Sequence, residues 1–158
     1  MPFRCVALPD TARGALWLHS MPGRREAWRD FIAGAQQARL GLIVCLTPRH
    51  ELVSLSPAYD AALRADALPA RWRHLPMRDF GLADNVADFR AGIVTLASEL
   101  AGGEVVLLHC AAGIGRTGTA AACLLKSLGL PHDEALQRIR DAGSSPESAA
   151  QSGLIHGF

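Results

Sequence analysis

Two short unbroken apolar runs organise the chain: Leu42 to Leu46 (Leu-Ile-Val-Cys-Leu) and Val105 to Leu108 within Glu104 to His109. Apolar runs of this length without alternation predict strands buried on both faces, the inner strands of a parallel sheet. Phe3 to Leu8 predicts an edge strand, Ala15 to His19 a second short strand, and Arg71 to Leu75 a further one. Between them the apolar period changes to three and four. Trp28, Phe31, Ile32 and Ala35 mark an amphipathic helix over Arg25 to Arg39, and Val86, Phe89, Ile93, Leu96 and Leu100 mark a longer helix that follows Asp84 or Asn85, with Asp84 as the expected N-cap. Pro57 opens a helix towards Ala67, Pro131 opens one containing Ala135, Leu136 and Ile139, and Ser145-Pro146 supplies the cap and first turn of a last helix towards Phe158. Strands alternating with helices predict an α/β layer fold, in which ligands sit at the carboxyl ends of central strands.

Composition narrows the function classes. The 158 residues are 49% hydrophobic and 20% charged, which suits a single domain over residues 1–158 with an ordinary core. Sixteen Lys and Arg against fifteen Asp and Glu leave a net charge of +1, so a broadly basic nucleic-acid surface is not expected. No run approaches the roughly 20 apolar residues of a membrane span. The opening MPFRCVALPD lacks the sustained apolar stretch of a secretory signal, and no polybasic cluster suggests a membrane anchor. The expectation is a soluble, cytoplasmic chain. Cys5, Cys45, Cys110 and Cys123 form no CxxC pair, as in a reducing compartment. The six histidines form no metal-ligand cluster, so neither metal nor other cofactor is expected.

One segment carries the chemistry. The strand ending at His109 runs into Cys110-Ala111-Ala112-Gly113-Ile114-Gly115-Arg116-Thr117-Gly118 and then a helical stretch. Glycines at 113, 115 and 118 let several backbone N–H groups converge on one anion, and the helix N-terminus adds unpaired donors and a positive dipole end. Arg116 adds a guanidinium fork matched to two phosphate oxygens. A thiol at the lip of such a cradle has its pKa lowered by helix terminus and cation, and becomes an in-line nucleophile towards a bound phosphoryl group. Thr117 is positioned to donate a hydroxyl hydrogen bond to the thiolate, and His109 to orient the loop through its ring nitrogens rather than to titrate. The formal GxGxxG match at Gly113 to Gly118 does not support dinucleotide binding: too little chain follows it and no acidic residue stands at the expected strand end. A nucleotide P-loop fails because Thr119 follows Gly118 where the lysine belongs.

The string His109-Cys110-x-x-Gly113-x-Gly115-Arg116-Thr117-Gly118 resembles the signature of the cysteine-dependent protein tyrosine phosphatase superfamily. HLPMRDFG and the ending RIRDAGSSPESAAQSGLIHGF are similar to the kinase-associated branch of its dual-specificity enzymes. The resemblance implies a three-layer fold with a central, mostly parallel sheet flanked by helices. It also implies metal-free phosphomonoester hydrolysis through a phosphocysteine. Asp79 matches the proton-donating aspartate by position, with Asp84 as the rival carboxylate. Of two water-positioning glutamines in relatives, Gln151 matches the second, while the first is Glu147, expected to turn outward or cap the last helix. The implied site is therefore Cys110, Arg116, Asp79 and Thr117, with Ala111 to Arg116 as the phosphate-binding loop and His109 and Gln151 in support. The implied substrate is a phosphorylated protein or peptide, with phosphotyrosine and then phosphoserine or phosphothreonine favoured. A phosphoinositide, nucleotide or polyphosphate substrate is the alternative, and a phosphate-binding module without turnover a second. A monomer is favoured.

Overall fold

The computed structural model describes residues 3–158. In chain order it contains β1 (Arg4–Val6), β2 (Ala15–His19), α1 (Trp28–Ala38), β3 (Leu42–Cys45), α2 (Arg49–Leu55), α3 (Pro57–Arg64), β4 (Arg71–His74), α4 (Val86–Ala101), β5 (Val105–His109), α5 (Gly115–Ser127), α6 (His132–Asp141) and α7 (Ala149–His156). The five strands lie in the order β1-β2-β5-β3-β4. Only β1 is antiparallel to its neighbour; β2, β5, β3 and β4 run parallel. The two unbroken apolar runs are interior strands and Phe3 to Leu8 yields an edge strand, as the pattern predicts.

Alternation along the strands sorts the core into two layers. Leu42, Val44, Val106 and Leu108 join Phe89, Ile93 and Leu96 of α4 and the apolar residues Ala120 to Leu125 of α5 in the larger cluster. Ile43 and Leu107 face the other way, onto Phe31 and Ala35 of α1, and Cys45 packs with Leu52 and Tyr59 of α2 and α3. Helices therefore cover both faces, giving the three-layer arrangement. Burial of β3 and β5 on both faces explains why these inner strands show no alternating polarity.

Parallel strands bring their carboxyl ends to one edge. The register pairs His19 with His109, His109 with Cys45, and Cys45 with His74, a single row across that edge. The chain emerging from each of these positions contributes to the cleft above it: Arg24 after β2, Cys110 after β5, Glu51 and Leu55 of α2 after β3, and the Asp79 loop after β4.

Three expectations require correction. No helix was expected between Thr47 and Pro57, yet Arg49–Leu55 is helical, with Pro48 at its N-cap position. Proline is compatible with a helix start, and a helix anchored by Leu52 as its only buried residue is too short to show a period. Asn85, not Asp84, caps α4, accepting a hydrogen bond from the Asp88 N–H at 3.0 Å; Asp84 pairs instead with Arg78 at 2.7 Å. The last helix is capped by Ser148, which accepts from the Gln151 N–H at 3.2 Å, rather than by Ser145. Ser145 is held elsewhere, its N–H donating to the Ile114 carbonyl at 3.2 Å.

Candidate active site

The cradle is shaped by two glycines in particular. Gly113 has φ +78, and a Cβ there would lie 2.6 Å from the His19 carbonyl oxygen, so both backbone conformation and space exclude a side chain. At Gly118 a Cβ would come within 2.6 Å of the Ser145 nitrogen, so glycine lets α5 press against the segment leading to α7. The N-cap residue of α5, Ile114, makes no side-chain cap, and no acid occupies the first turn. No N-cap side chain bonds the first amides of α5, the arrangement that receives an anion.

Cys110 is 2% exposed, and its sulfur accepts the Gly113 N–H at 3.2 Å. The other buried cysteines have no such company. Burial raises the Cys45 thiol above its usual range and pushes Cys123 up to about 12, leaving both as packed, protonated thiols. Cys110, Ala111, Ala112, Gly115 and Arg116 line a cleft of about 270 Å³ together with Arg24, Glu51, Leu55, Asp79, Phe80 and Glu147.

Arg116 lies at the base of this cleft, its side chain 3% exposed. Glu51 grips it with both oxygens, at 2.8 and 2.9 Å, and the Met77 carbonyl accepts from it at 3.2 Å. Burial works against the guanidinium charge, but the Glu51 bond and the neighbouring Cys110 and Asp79 charges outweigh it and raise its pKa. A bidentate carboxylate fixes the plane of the fork, so its orientation is set before any ligand arrives. Glu51 sits on α2, the unexpected helix. Its only sequence signal was an acid shortly after the carboxyl end of an inner strand.

His109 is fully buried between two fixed partners. Its Nδ1 lies 3.1 Å from the Cys110 carbonyl and its Nε2 2.8 Å from the Tyr59 hydroxyl. The carbonyl can only accept, so Nδ1 carries the proton; Nε2 then accepts from Tyr59, whose oxygen accepts the Trp72 Nε1–H at 2.8 Å. A directional chain from Trp72 through Tyr59 and His109 thereby holds the peptide at Cys110. Burial lowers the His109 pKa to about 3, so the ring stays neutral while the chain is folded.

The sign of the stability effect follows. An unfolded His109 protonates near its ordinary value of 6.5, whereas the folded ring resists until about 3. Its contribution is complete above pH 6.5 and declines as pH falls through that window. The urea midpoint should therefore fall on acidification across this range, and less steeply in His109→Gln. Identical slopes for both proteins would contradict this assignment.

The remaining candidates are placed as follows. The bond expected from Thr117 to sulfur is not made: its Oγ1 is buried without a hydrogen-bond partner. Thr117 is already inside α5, whose buried face takes its side chain, so the loop amide of Gly113 reaches sulfur instead. Asp79 is 65% exposed, with Oδ1 3.5 Å from Arg116 Nη2, whereas the rival Asp84 is tied to Arg78 and does not line the cleft. Phe80, beside Asp79, is exposed and adopts φ 54. Gln151 is fully buried, its Oε1 accepting the Glu147 N–H at 2.8 Å and its Nε2 donating to the Gly81 carbonyl at 3.2 Å. It ties α7 to the Asp79 loop. Glu147 is exposed, does not cap α7 and lines the cleft. Its carboxylate covers Gly115, where a Cβ would meet Oε1 at 2.2 Å. Among the described residues, no group of three or more His, Cys, Asp or Glu side chains could hold a metal ion.

The fold has counterparts among solved structures. Kinase associated phosphatase, solved with a serine in place of its catalytic cysteine, superposes with TM-score 0.83 at 20% identity, over 99% of this chain and 92% of that one. Tk-PTP in its active form gives 0.68 at 25% identity, over 94% and 95%. PTPMT1, solved in complex with PI(5)P, gives 0.71 at 17% identity, over 96% and 92%. No curated protein sequence matches significantly. The cleft residues Arg24, Glu51, Asp79, Cys110, Arg116 and Glu147 all fall within residues 12–153, the stretch matched by the family model for the Swiss Army Knife protein, DSP-PTPase phosphatase domain. The chain therefore belongs to this PTP-SAK family and is a cysteine-dependent phosphatase of the protein tyrosine and dual-specificity superfamily.

Proposed function

We propose that this chain, acting as a single domain over residues 1–158, hydrolyses phosphotyrosine and also phosphoserine or phosphothreonine in proteins through a phosphocysteine at Cys110. The observation that carries the reading is the Cys110 sulfur at the mouth of an uncapped helix, bonded to a loop N–H, above a guanidinium pre-oriented by Glu51. The thiolate attacks phosphorus, the bond from phosphorus to the ester oxygen breaks, and Asp79 as the carboxylic acid gives its proton to the departing oxygen. Water then attacks phosphorus, the Asp79 carboxylate takes its proton, and the phosphorus–sulfur bond breaks to return the thiolate and release phosphate. Ala111 to Arg116 hold the equatorial oxygens throughout. Gln151 acts in support by holding the Asp79 loop against α7.

The walls of the cleft support a phosphoprotein over a highly phosphorylated small molecule. Leu55 and Phe80 offer apolar surface beside the bowl, suited to an aryl group. Glu147, Glu51 and Asp79 bring carboxylates to the same cleft, with Arg24 as the further cation beside Arg116. Additional phosphates of a polyanion would meet that acidic wall. Four free cysteines support a reducing, cytoplasmic setting.

Kinetic profiling in chelator with phosphotyrosine and phosphothreonine peptides, a phosphoinositide and inorganic polyphosphate, with Cys110→Ser as blank, tests the reading. The phosphotyrosine peptide should give the highest kcat/KM; a preference for phosphoinositide or polyphosphate would overturn the substrate assignment. Asp79→Ala should lower kcat on phosphopeptides by about 10²–10⁴-fold and much less on an aryl phosphate with an activated leaving group. Equal losses on both would remove Asp79 as proton donor.

A further inference from the structure

The carbonyl of Gly113 is gripped from behind the cradle by a residue far away in sequence. Arg4, on edge strand β1, reaches it with Nη2 at 2.5 Å. The same guanidinium sends Nη1 to the Ala142 carbonyl and to Ser144 Oγ, both at 2.8 Å. Ser144 is buried, and its hydroxyl donates to the same Gly113 carbonyl at 2.7 Å. Both acceptor directions of one loop carbonyl are thus filled, one by a cation. On the other side of this glycine, its N–H is the donor to the Cys110 sulfur at 3.2 Å.

A glycine at φ +78 has no side chain to hold it, so external bonds must select its orientation. Two donors on the Gly113 carbonyl fix the Gly113–Ile114 peptide, and the Ala112–Gly113 peptide, whose N–H meets the sulfur, is joined to it through the same Cα. The guanidinium is also close enough for its charge to act on sulfur: burial lowers the Arg4 pKa, and interaction with the Cys110 charge works in the opposite sense. Arg4 lies outside residues 12–153, the stretch that the family model matches.

We propose that Arg4, with Ser144, is a positioning residue for the nucleophile: it fixes Gly113 through its carbonyl, so that the N–H of the same residue, on the adjoining peptide, stays on Cys110, and it adds a second cation that favours the thiolate. This rests on Cys110 being the nucleophile, as inferred above. Removing the fork frees the Gly113–Ile114 peptide, which loosens the adjoining peptide whose N–H meets the sulfur, and withdraws positive charge from near the sulfur. Both changes favour the protonated thiol.

The test is the pH dependence of Cys110 alkylation by iodoacetamide, followed at that residue by mass spectrometry because Cys5 is exposed. The proteins are wild type, Arg4→Gln, Arg4→Lys and Ser144→Ala, with the acid limb of kcat/KM for an aryl phosphate measured beside them. Arg4→Gln should raise the alkylation midpoint by about one pH unit and move the acid limb of kcat/KM in the same direction. Arg4→Lys should recover part of that shift, by charge without the fork, and Ser144→Ala should show a smaller rise. A lower melting temperature with an unmoved alkylation midpoint would make Arg4 merely structural and overturn the proposal. Should Arg4→Gln not fold, an unmoved midpoint in Ser144→Ala would overturn it as well. Failure of wild-type Cys110 to alkylate at all, together with unchanged turnover in Cys110→Ser, would instead strike the nucleophile assignment, so the two failures are distinguishable.

Discussion

Replacing Cys110 by serine should lower turnover of every phosphomonoester by roughly 10⁴–10⁶-fold, the scale on which loss of a nucleophile acts. The side chain keeps its size and place but loses its ionisation. A serine hydroxyl needs a dedicated base, and the neighbouring imidazole cannot serve: His109 has its proton on Nδ1, directed to the Cys110 carbonyl, and its Nε2 is occupied by Tyr59. The cradle itself does not depend on sulfur for its shape, because Gly113 is held through its carbonyl by Arg4 and Ser144, and Arg116 through Glu51. Cys110→Ser should therefore still bind a phosphopeptide, and calorimetric titration with phosphotyrosine peptide should detect this with turnover absent. Sustained hydrolysis by the variant would place the nucleophile elsewhere. Loss of binding together with turnover would mean that sulfur also maintains the loop.

The second large effect belongs to Arg116→Lys. Lysine keeps the charge but cannot supply the planar set of donors that meets two Glu51 oxygens and the Met77 carbonyl together. An ammonium at that depth would satisfy fewer of these acceptors and could not present a fork to phosphate. By the scale of losing one preorganised transition-state donor, kcat should fall by about 10²–10³-fold, with KM for an aryl phosphate rising as well. Glu51→Gln is the informative companion. It keeps an oxygen to receive one N–H but loses the bidentate grip, so its loss should be smaller and in the same direction. Stopped assays with an aryl phosphate would measure both. Wild-type kcat/KM in Arg116→Lys would show that a point charge suffices and would remove the fork from the mechanism.

Much of this site was legible before any coordinates because its central part is contiguous. Phosphate recognition by backbone amides needs glycines, a strand end and a helix start at short spacing, and residues 109–118 write that requirement in one line. The inner strands were readable for a related reason: burial on both faces removes alternation, and Leu42 to Leu46 and Val105 to Leu108 have none. Asp79 required a resemblance, since an acid after a strand has many ordinary roles. Thr117 shows the limit of contiguity. Proximity in sequence suggested a bond to sulfur, but the helical turn beginning at Gly115 takes its hydroxyl elsewhere.

The groups that hold the site in place were not legible. Glu51, Tyr59, Trp72, Arg4 and Ser144 come from separate elements and meet the loop only because parallel strands end along one edge and β1 lies at the side of β2. Local pattern records where a residue is buried or exposed along its own element, whereas these contacts depend on how elements cross. Glu147 is the clearest case. Its charge suggested a place in solvent or at the cap; it is exposed, but Ser148 takes the cap and the chain carries the carboxylate over Gly115. The amino-acid order alone determined the nucleophile's setting, the anion-binding backbone and the layered α/β class, because each depends on short-range periodicity or spacing. The tertiary structure alone decided which carboxylate aims Arg116, which tautomer His109 adopts, and which distant cation holds Gly113, because those are bonds between segments that only the packed sheet and helices bring together.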